Sequence, residues 1–469
     1  MKYNMEYYKM TLKPLLIKNP YTGETIHELE VDSISAISEI IDTSYNYRSH
    51  LSRSQRADIL KKCAMYLEKD KDEAASLITS ETGLSKKDTC YEIGRTINVL
   101  LSGVNEILSS EESIMDCDLY EGFKERKIIS IREPLDGIIY AITPFNHPIN
   151  QVAHKVIPAI ATNNRIILKP SEKTPLSAIY FRDLLYKCGL PKEMFSLVIG
   201  NPKILYERMI SDLRISMVTF TGGVDVGKSI ACTAGYRKIV LELGGNDPLI
   251  IMPDADLERA TDLVVRGSYS NSGQRCTAVK RVLAHKSIVH DLNYLVAEKS
   301  KAWVTGDPMQ SATMMGTVID EEAAIRIQNV VNGAIDQGAR LLSGNQRNGA
   351  LLSPTVLTNV DPKMQLVTQE TFGPVTPIIT FETISEAIAI ANSTAYGLSS
   401  ALCTNRLDWI KEFSSRLNVG TMNVWEVPGF RTELSPFGGI KDSGLGLKEG
   451  VRESMKNYTN IKTISLPWD

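Results

Sequence analysis

From about residue 137 the chain alternates short apolar runs with longer amphipathic stretches, and this rhythm limits the fold more than any other feature. GIIYAIT reads as a strand, QVAHKVIPAIAT as a helix, RIILK as a strand and PLSAIYFRDLLYKCG as a helix; FSLVIG and ISMVTF then read as strands and GKSIACTAG as a helix. Strands separated by helices pair in parallel through right-handed crossovers, so an α/β sheet protein is expected. A second region of the same kind follows in PLIIM, VLAHKSIVHDLNYLVAEKS and VTPIITF, which implies at least two lobes. Residues 35–69, 71–82 and 87–107 read mainly as helices, and REPLDG and NYTNIKTISLPW read as extended segments able to pair in a separate small sheet.

The 469 residues are enough for two or three domains. A net charge near -3 offers no basic excess for nucleic acid, and no apolar run reaches the ~18 residues that a bilayer span requires. The start MKYNMEYYKMTLK has neither the apolar core nor the cleavage site of a secretory signal, so a cytoplasmic protein without membrane or nucleic-acid partners is expected. Seven scattered cysteines without a C-x-x-C pair and six histidines without H-x-x-x-H spacing suggest neither a disulfide framework nor a metal site.

Parallel sheets gather ligands at the carboxyl ends of their strands, which directs attention to five loops. In PFNHPINQ, Asn146 lies beside prolines; a rigid amide suits an oxyanion site, and a simple turn residue is the plainer account. In LKPSEKTP, Lys169 and Glu172 suit the hydroxyls of a ribose, or else Ser171 caps a helix and Glu172 charges its first turn. In VTFTGGVDVGKS, Gly222 to Ser229 satisfy the P-loop pattern G-x-x-x-x-G-K-[ST], and Asp254 at the end of LIIMPD could serve as a Walker B acid. Pro253 interrupts that run, however, and no arginine finger suggests itself. In LELGGNDP, Glu242 ends an apolar strand, where burial would raise its pKa and suit it to general-base work; a solvent-facing carboxylate is the alternative. In NSGQRCTAV, Cys276 sits in a polar loop beside Arg275, whereas the other six cysteines fall in helical or strand-like stretches. Most lone cysteines are inert, but a neighbouring guanidinium or loop amides would stabilise a thiolate here. A nucleophile, a base, an amide donor and a glycine loop together suit covalent oxidation of a carbonyl with a dinucleotide acceptor.

TPFNHP, LKPSEKTP, FTGGVDVG, LELGGNDP, NSGQRCTA, QETFGPV and SPFGGIKDSGLG, in this order over roughly residues 12 to 469, resemble the aldehyde dehydrogenase superfamily. The resemblance implies an α/β fold with a Rossmann-type NAD-binding domain (1–112 and 136–246), an α/β catalytic domain (247–440) and a small β oligomerisation arm (113–135 and 455–469) that joins a homodimer or tetramer. It implies that Cys276 attacks an aldehyde, that the Asn146 side chain and the Cys276 N–H hold the oxyanion, and that Glu242 activates water to release the acid. On the cofactor it places Ile142, Thr143, Pro144 and Phe145, then Lys169, Ser171 and Glu172 at the adenosine ribose. It also places Gly222, Gly223, Val226 and Leu243 there, with Glu370 and Phe372 near the nicotinamide ribose; many relatives have Ser where this chain has Gly223. Lys155 falls on a lysine that the family uses near the active site.

Arg275, directly before the nucleophile, disfavours a purely apolar substrate, because an unpaired buried cation is costly. GQRCTAVKRV resembles the branch that includes non-phosphorylating glyceraldehyde-3-phosphate and phosphonoacetaldehyde dehydrogenases. In that branch arginines hold the anionic group, here Arg95, Arg275 and Arg431, with His147 and Thr277 completing the pocket. The resemblance thus implies oxidation of phosphonoacetaldehyde to phosphonoacetate, with glyceraldehyde 3-phosphate, lactaldehyde or succinate semialdehyde as alternatives. NAD is expected because Glu172 would repel a 2′-phosphate, although NADP users share similar KPSE sequences.

Overall fold

The computed structural model describes residues 13–109, 113–119, 121 and 125–468, so the ends of the expected first segment at 1 and 112 lie outside the described residues. The first alternating region forms a five-stranded parallel sheet with the spatial order Phe195–Leu197, Ile166–Lys169, Ile138–Ile142, Ile215–Thr221 and Lys238–Glu242. The strand order reverses between Ile138–Ile142 and Ile215–Thr221, and a crevice opens at the carboxyl ends beside such a switch point. Successive strand residues face opposite layers. Ile139, Ala141, Ile166 and Leu168 pack on one face against helices Asn150–Ala161 and Pro175–Lys187, while Ile138, Tyr140, Ile167 and Val218 pack on the other with Ile37 and Ile41. Each fully buried side chain of this kind contributes roughly 1.5–3 kcal/mol.

The second region forms a seven-stranded sheet in the order Arg340–Ser343, Thr355–Thr358, Val375–Phe381, Arg281–His285, Pro248–Ile251, Ser399–Cys403 and Thr421–Val424. Its pairs are parallel except the first, which is antiparallel. A third sheet of three strands joins Thr459–Pro467 to Arg126–Pro134 and the latter to Ser113–Asp116. REPLDG and the tail therefore do pair, but REP is only the end of a nine-residue strand. Its apolar residues stay part-exposed, so no buried face marked the strand in the sequence.

Two expected elements differ. The helical stretch 35–69 is split into Ile34–Asn46 and Arg53–Lys69, because Ser52 and Gln55 form a reciprocal capping box that starts the second helix. The helix expected from Gly227 begins instead at Val224, immediately after the strand-end turn. No helix among the described residues is long and apolar enough to cross a membrane.

Candidate active site

At the switch point, Gly223 is the N-cap of helix Val224–Thr233 and provides no side-chain cap. The first N–H groups of a helix lack intrahelical partners, and the dipole draws an anion to them. A Cβ on Gly223 would meet nothing within 4 Å, whereas one on Gly222 would lie 2.5 Å from the Phe220 ring. Gly222 is thus glycine for packing, and Gly223 is the position that leaves the helix end open to an anion. Gly227, Lys228 and Ser229 lie inside the helix, so this segment cannot wrap a phosphate as a P-loop does. Lys228 pairs instead with Asp442 at 2.7 Å on the surface, and Asp254 accepts hydrogen bonds from Thr404 Oγ1 and the Asn405 N–H, both at 2.9 Å.

Beside this helix end, Lys169 Nζ donates to Glu172 Oε2 at 3.1 Å and to the Pro170 carbonyl at 3.0 Å. Burial pushes the Glu172 carboxyl up, but Lys169 and local hydrogen bonds outweigh it and hold the group below its ordinary value. The Ser171 hydroxyl accepts from the Lys173 N–H at 3.2 Å rather than capping the following helix, whose N-cap is Thr174. After Ile142, the Thr143 N–H donates to the Lys169 carbonyl at 3.2 Å; Pro144 follows, and Phe145 meets Phe372 edge-on with centroids 5.9 Å apart. Leu243 is buried under the helix, where a Cβ on Gly227 would come within 2.4 Å of it, and Val226 is half exposed. An open helix terminus and an ionised carboxylate at the switch point fit a dinucleotide.

The loop that carries Cys276 is strained. Asn271, Ser272 and Gly273 adopt φ values of 59°, 54° and 70°, three successive left-handed residues that only Gly adopts at no steric cost. Side-chain bonds hold them. Asn271 Nδ2 donates to the Asn146 carbonyl at 2.8 Å, Ser272 Oγ to the Gly316 carbonyl at 3.2 Å, and Gln274 Oε1 accepts the Ile319 N–H at 2.9 Å. Asn146 Nδ2 donates one N–H to the Gln274 carbonyl at 2.8 Å and retains a second. Cys276 keeps part of its surface open at the bottom of the cleft, yet protein surrounds it, and burial followed by the Glu242 charge pushes its thiol up to about 12. The cations that pull it down are Lys280 and Arg431. Arg275, the expected neighbour for the thiolate, interacts electrostatically with Cys276 while its Nη2 donates to the Gly267 carbonyl at 2.8 Å.

Glu242 is 3% exposed, and neither carboxylate oxygen has a partner. Burial, then the nearby Glu449, raise it well above the ordinary range, while Arg431 and Lys155 oppose the shift. Lys155 is completely buried and paired with Glu449. Glu370 is held by Lys280 at 2.7 Å, with the Gly245 N–H at 3.3 Å from the same oxygen.

The five residues expected around the substrate divide by their partners. Arg95 is engaged in a two-pronged ion pair with Glu433, Nη2 to Oε2 at 2.9 Å, and His154 Nε2 stands 3.1 Å from that oxygen. Arg431 lies over the Phe437 ring at 3.6 Å, and its buried Nη1 has no partner; neither has the buried Nε of Arg275. His147 Nδ1 stands 3.8 Å from Glu92 Oε2, and Glu92 Oε1 accepts the N–H groups of Ile149 and Asn150 at the start of their helix. Thr277 is buried against Gly429, where a Cβ would lie 2.3 Å from its Oγ1. Lys280, Glu433 and Glu92 escaped the sequence reading. Lys280 follows the cysteine by four positions, which is a local signal, whereas Glu433 and Arg95 are 338 positions apart.

The Aldehyde dehydrogenase family model matches residues 9–464. The chain is 40% identical over 410 residues to a sulfoacetaldehyde dehydrogenase of Neptuniibacter caesariensis, covering 87% of this chain and 89% of that one. It is 35% identical to a lactaldehyde dehydrogenase of Methanococcus maripaludis, with 95% and 96% covered. The crystal structure of the glyceraldehyde-3-phosphate dehydrogenase GapN of Methanocaldococcus jannaschii, complexed with NADP, superposes with a TM-score of 0.93 at 35% identity over 97% of this chain and 99% of that one. Sequence and fold agree over almost the whole length: the chain belongs to the aldehyde dehydrogenase family and is one of its NAD(P)-dependent oxidoreductases.

Proposed function

We propose that the chain oxidises a short aldehyde bearing an oxyanion group at its far end. The observation that carries this reading is the pair of buried, unmatched N–H groups on Arg275 and Arg431, two cations that interact electrostatically with Cys276. A guanidinium is suited to a sulfonate, phosphonate or phosphate, and leaving a buried donor unpaired costs about 1–3 kcal/mol. Names among the relatives broaden the expectation of phosphonoacetaldehyde to this class, which includes sulfoacetaldehyde and glyceraldehyde 3-phosphate. Lactaldehyde has no charge to satisfy the arginines and fits less well.

In this reading Cys276 Sγ bonds to the carbonyl carbon, and its proton passes to ionised Glu242, directly or through water. The oxyanion of the thiohemiacetal takes the free N–H of the Asn146 amide and the Cys276 N–H. The cofactor, held by Gly223, Lys169, Glu172 and Glu370, supplies the hydride acceptor. Once Glu242 has returned the thiol's proton to solvent, it takes a proton from water as that water attacks the thioester carbon, and Cys276 leaves as thiolate. Burial opposes the charge on Glu242 and on Cys276, so each gives up its proton less readily than a free group. The ionised Glu172 favours NAD, whereas GapN was solved with NADP, so both cofactors belong in the test. The exposed edge strand Thr459–Pro467 is a surface through which a homo-oligomer would form.

The test is a panel of phosphonoacetaldehyde, sulfoacetaldehyde, glyceraldehyde 3-phosphate, lactaldehyde and propanal with each cofactor, followed by absorbance of the reduced cofactor. The anionic aldehydes should exceed propanal in kcat/KM by roughly a hundredfold. Equal values would overturn the reading.

A further inference from the structure

Lys280 immediately precedes strand Arg281–His285, and its backbone N–H donates to the Asp247 carbonyl at 3.1 Å, so the residue is anchored at a sheet end. Its side chain is 5% exposed. The ammonium has three donors, and all three are committed: to the Arg275 carbonyl at 2.6 Å, the Cys276 carbonyl at 2.8 Å and Glu370 Oε1 at 2.7 Å.

The Arg275 carbonyl and the Cys276 N–H belong to one peptide unit. That unit is planar and trans, so its oxygen and hydrogen point in opposite directions. A cation holding the oxygen fixes where the N–H points, and polarisation through the amide strengthens it as a donor. The preceding peptide is fixed in the same manner, since the Gln274 carbonyl accepts from Asn146 Nδ2 at 2.8 Å.

We propose that Lys280 is a positioning residue for the oxidation: it aims and polarises the Cys276 N–H toward the oxyanion, and through Glu370 it ties that peptide to the cofactor side of the cleft. The inference rests on the reading of Cys276 as nucleophile. With Glu370 Oε1 held inward by Lys280, Oε2 is left for the cofactor, so one lysine orients a group on each side of the reacting carbon. The charged groups that face Cys276 are Glu242, Lys280, Arg431, Glu370 and Arg275; removing Lys280 takes away the cation that lowers its thiol most.

The experiment compares K280M and K280R with the parent, full-length and with cofactor, on the best aldehyde of the panel. K280M should lower kcat by about a hundredfold, the scale of losing one oxyanion donor, with aldehyde KM changed less than about threefold. It should slow the first-turnover burst of reduced cofactor equally, and move the pH midpoint of Cys276 alkylation upward. K280R, which can still donate to carbonyls and carboxylate, should recover most of the rate. If K280M does not fold, K280Q carries the same comparison. An unchanged kcat in folded K280M overturns the proposal, as does a loss confined to KM or an Arg variant no better than Met. A C276A protein that still turns over removes the underlying reading instead, whereas inert C276A beside fully active K280M overturns the role of Lys280 alone.

Discussion

The crevice around Gly223 and the cleft around Cys276 share the strand Lys238–Glu242, yet they treat polar groups differently. The crevice relies on backbone and paired charge: an open helix end at Gly223 and the contact of Lys169 with Glu172. The cleft buries charge without partners, in both oxygens of Glu242 and in the N–H groups of Arg275 and Arg431, beside three left-handed residues. An unsatisfied buried group costs about 1–3 kcal/mol, and strained residues of this kind cost a similar amount. Such costs persist where an incoming molecule supplies the missing partners. On the proposed function, the crevice is generic and selectivity resides in the cleft.

The harshest way to break that contrast is Cys276→Ser. Oxidation should fall by about four orders of magnitude or more, while cofactor binding, measured by fluorescence titration, stays within about twofold. Normal turnover would end the covalent account. Glu242→Gln should act on one side of the cleft only, slowing steady-state turnover by about 10²–10³-fold while leaving a first-turnover burst of reduced cofactor. Its pH dependence has a defined sign. The base is the deprotonated form, and burial raises its pKa, so the rate should climb with pH above the ordinary carboxylate range. The part of that rise set by Glu242 should vanish in Glu242→Gln, leaving the rise that the Cys276 thiol adds at higher pH. The smallest effect belongs to Lys228, whose contact with Asp442 is a surface pair on the crevice side. Lys228→Ala should leave steady-state turnover within about twofold; a severe loss would revive the P-loop reading.

The same contrast explains what was legible in the sequence. Contiguous runs such as LKPSEKTP and LELGGNDP carry their local geometry with them, so the parallel pairing and the place of Glu242 at a strand end follow from strand–loop–helix rhythm and apolar patterning. The fate of Arg95 does not follow, because its partner Glu433 arrives only through tertiary packing. Lys280 drew no notice in the sequence, because its three acceptors are brought around it only by the fold. The P-loop pattern failed for a related reason: the pattern specifies residue types, whereas the helix start at Val224 decides which N–H groups remain open. The split at Ser52 was legible in the spacing of Ser52 and Gln55 and was masked by the continuous helical periodicity around it.

The central claim is that the unmatched guanidinium groups of the cleft select an anionic aldehyde. It is tested most directly by Arg431→Ala, with kcat/KM measured in parallel for propanal and for sulfoacetaldehyde or phosphonoacetaldehyde. The account predicts a loss of roughly a hundredfold for the anionic aldehyde and a change of less than about threefold for propanal. Equal losses on both would contradict it.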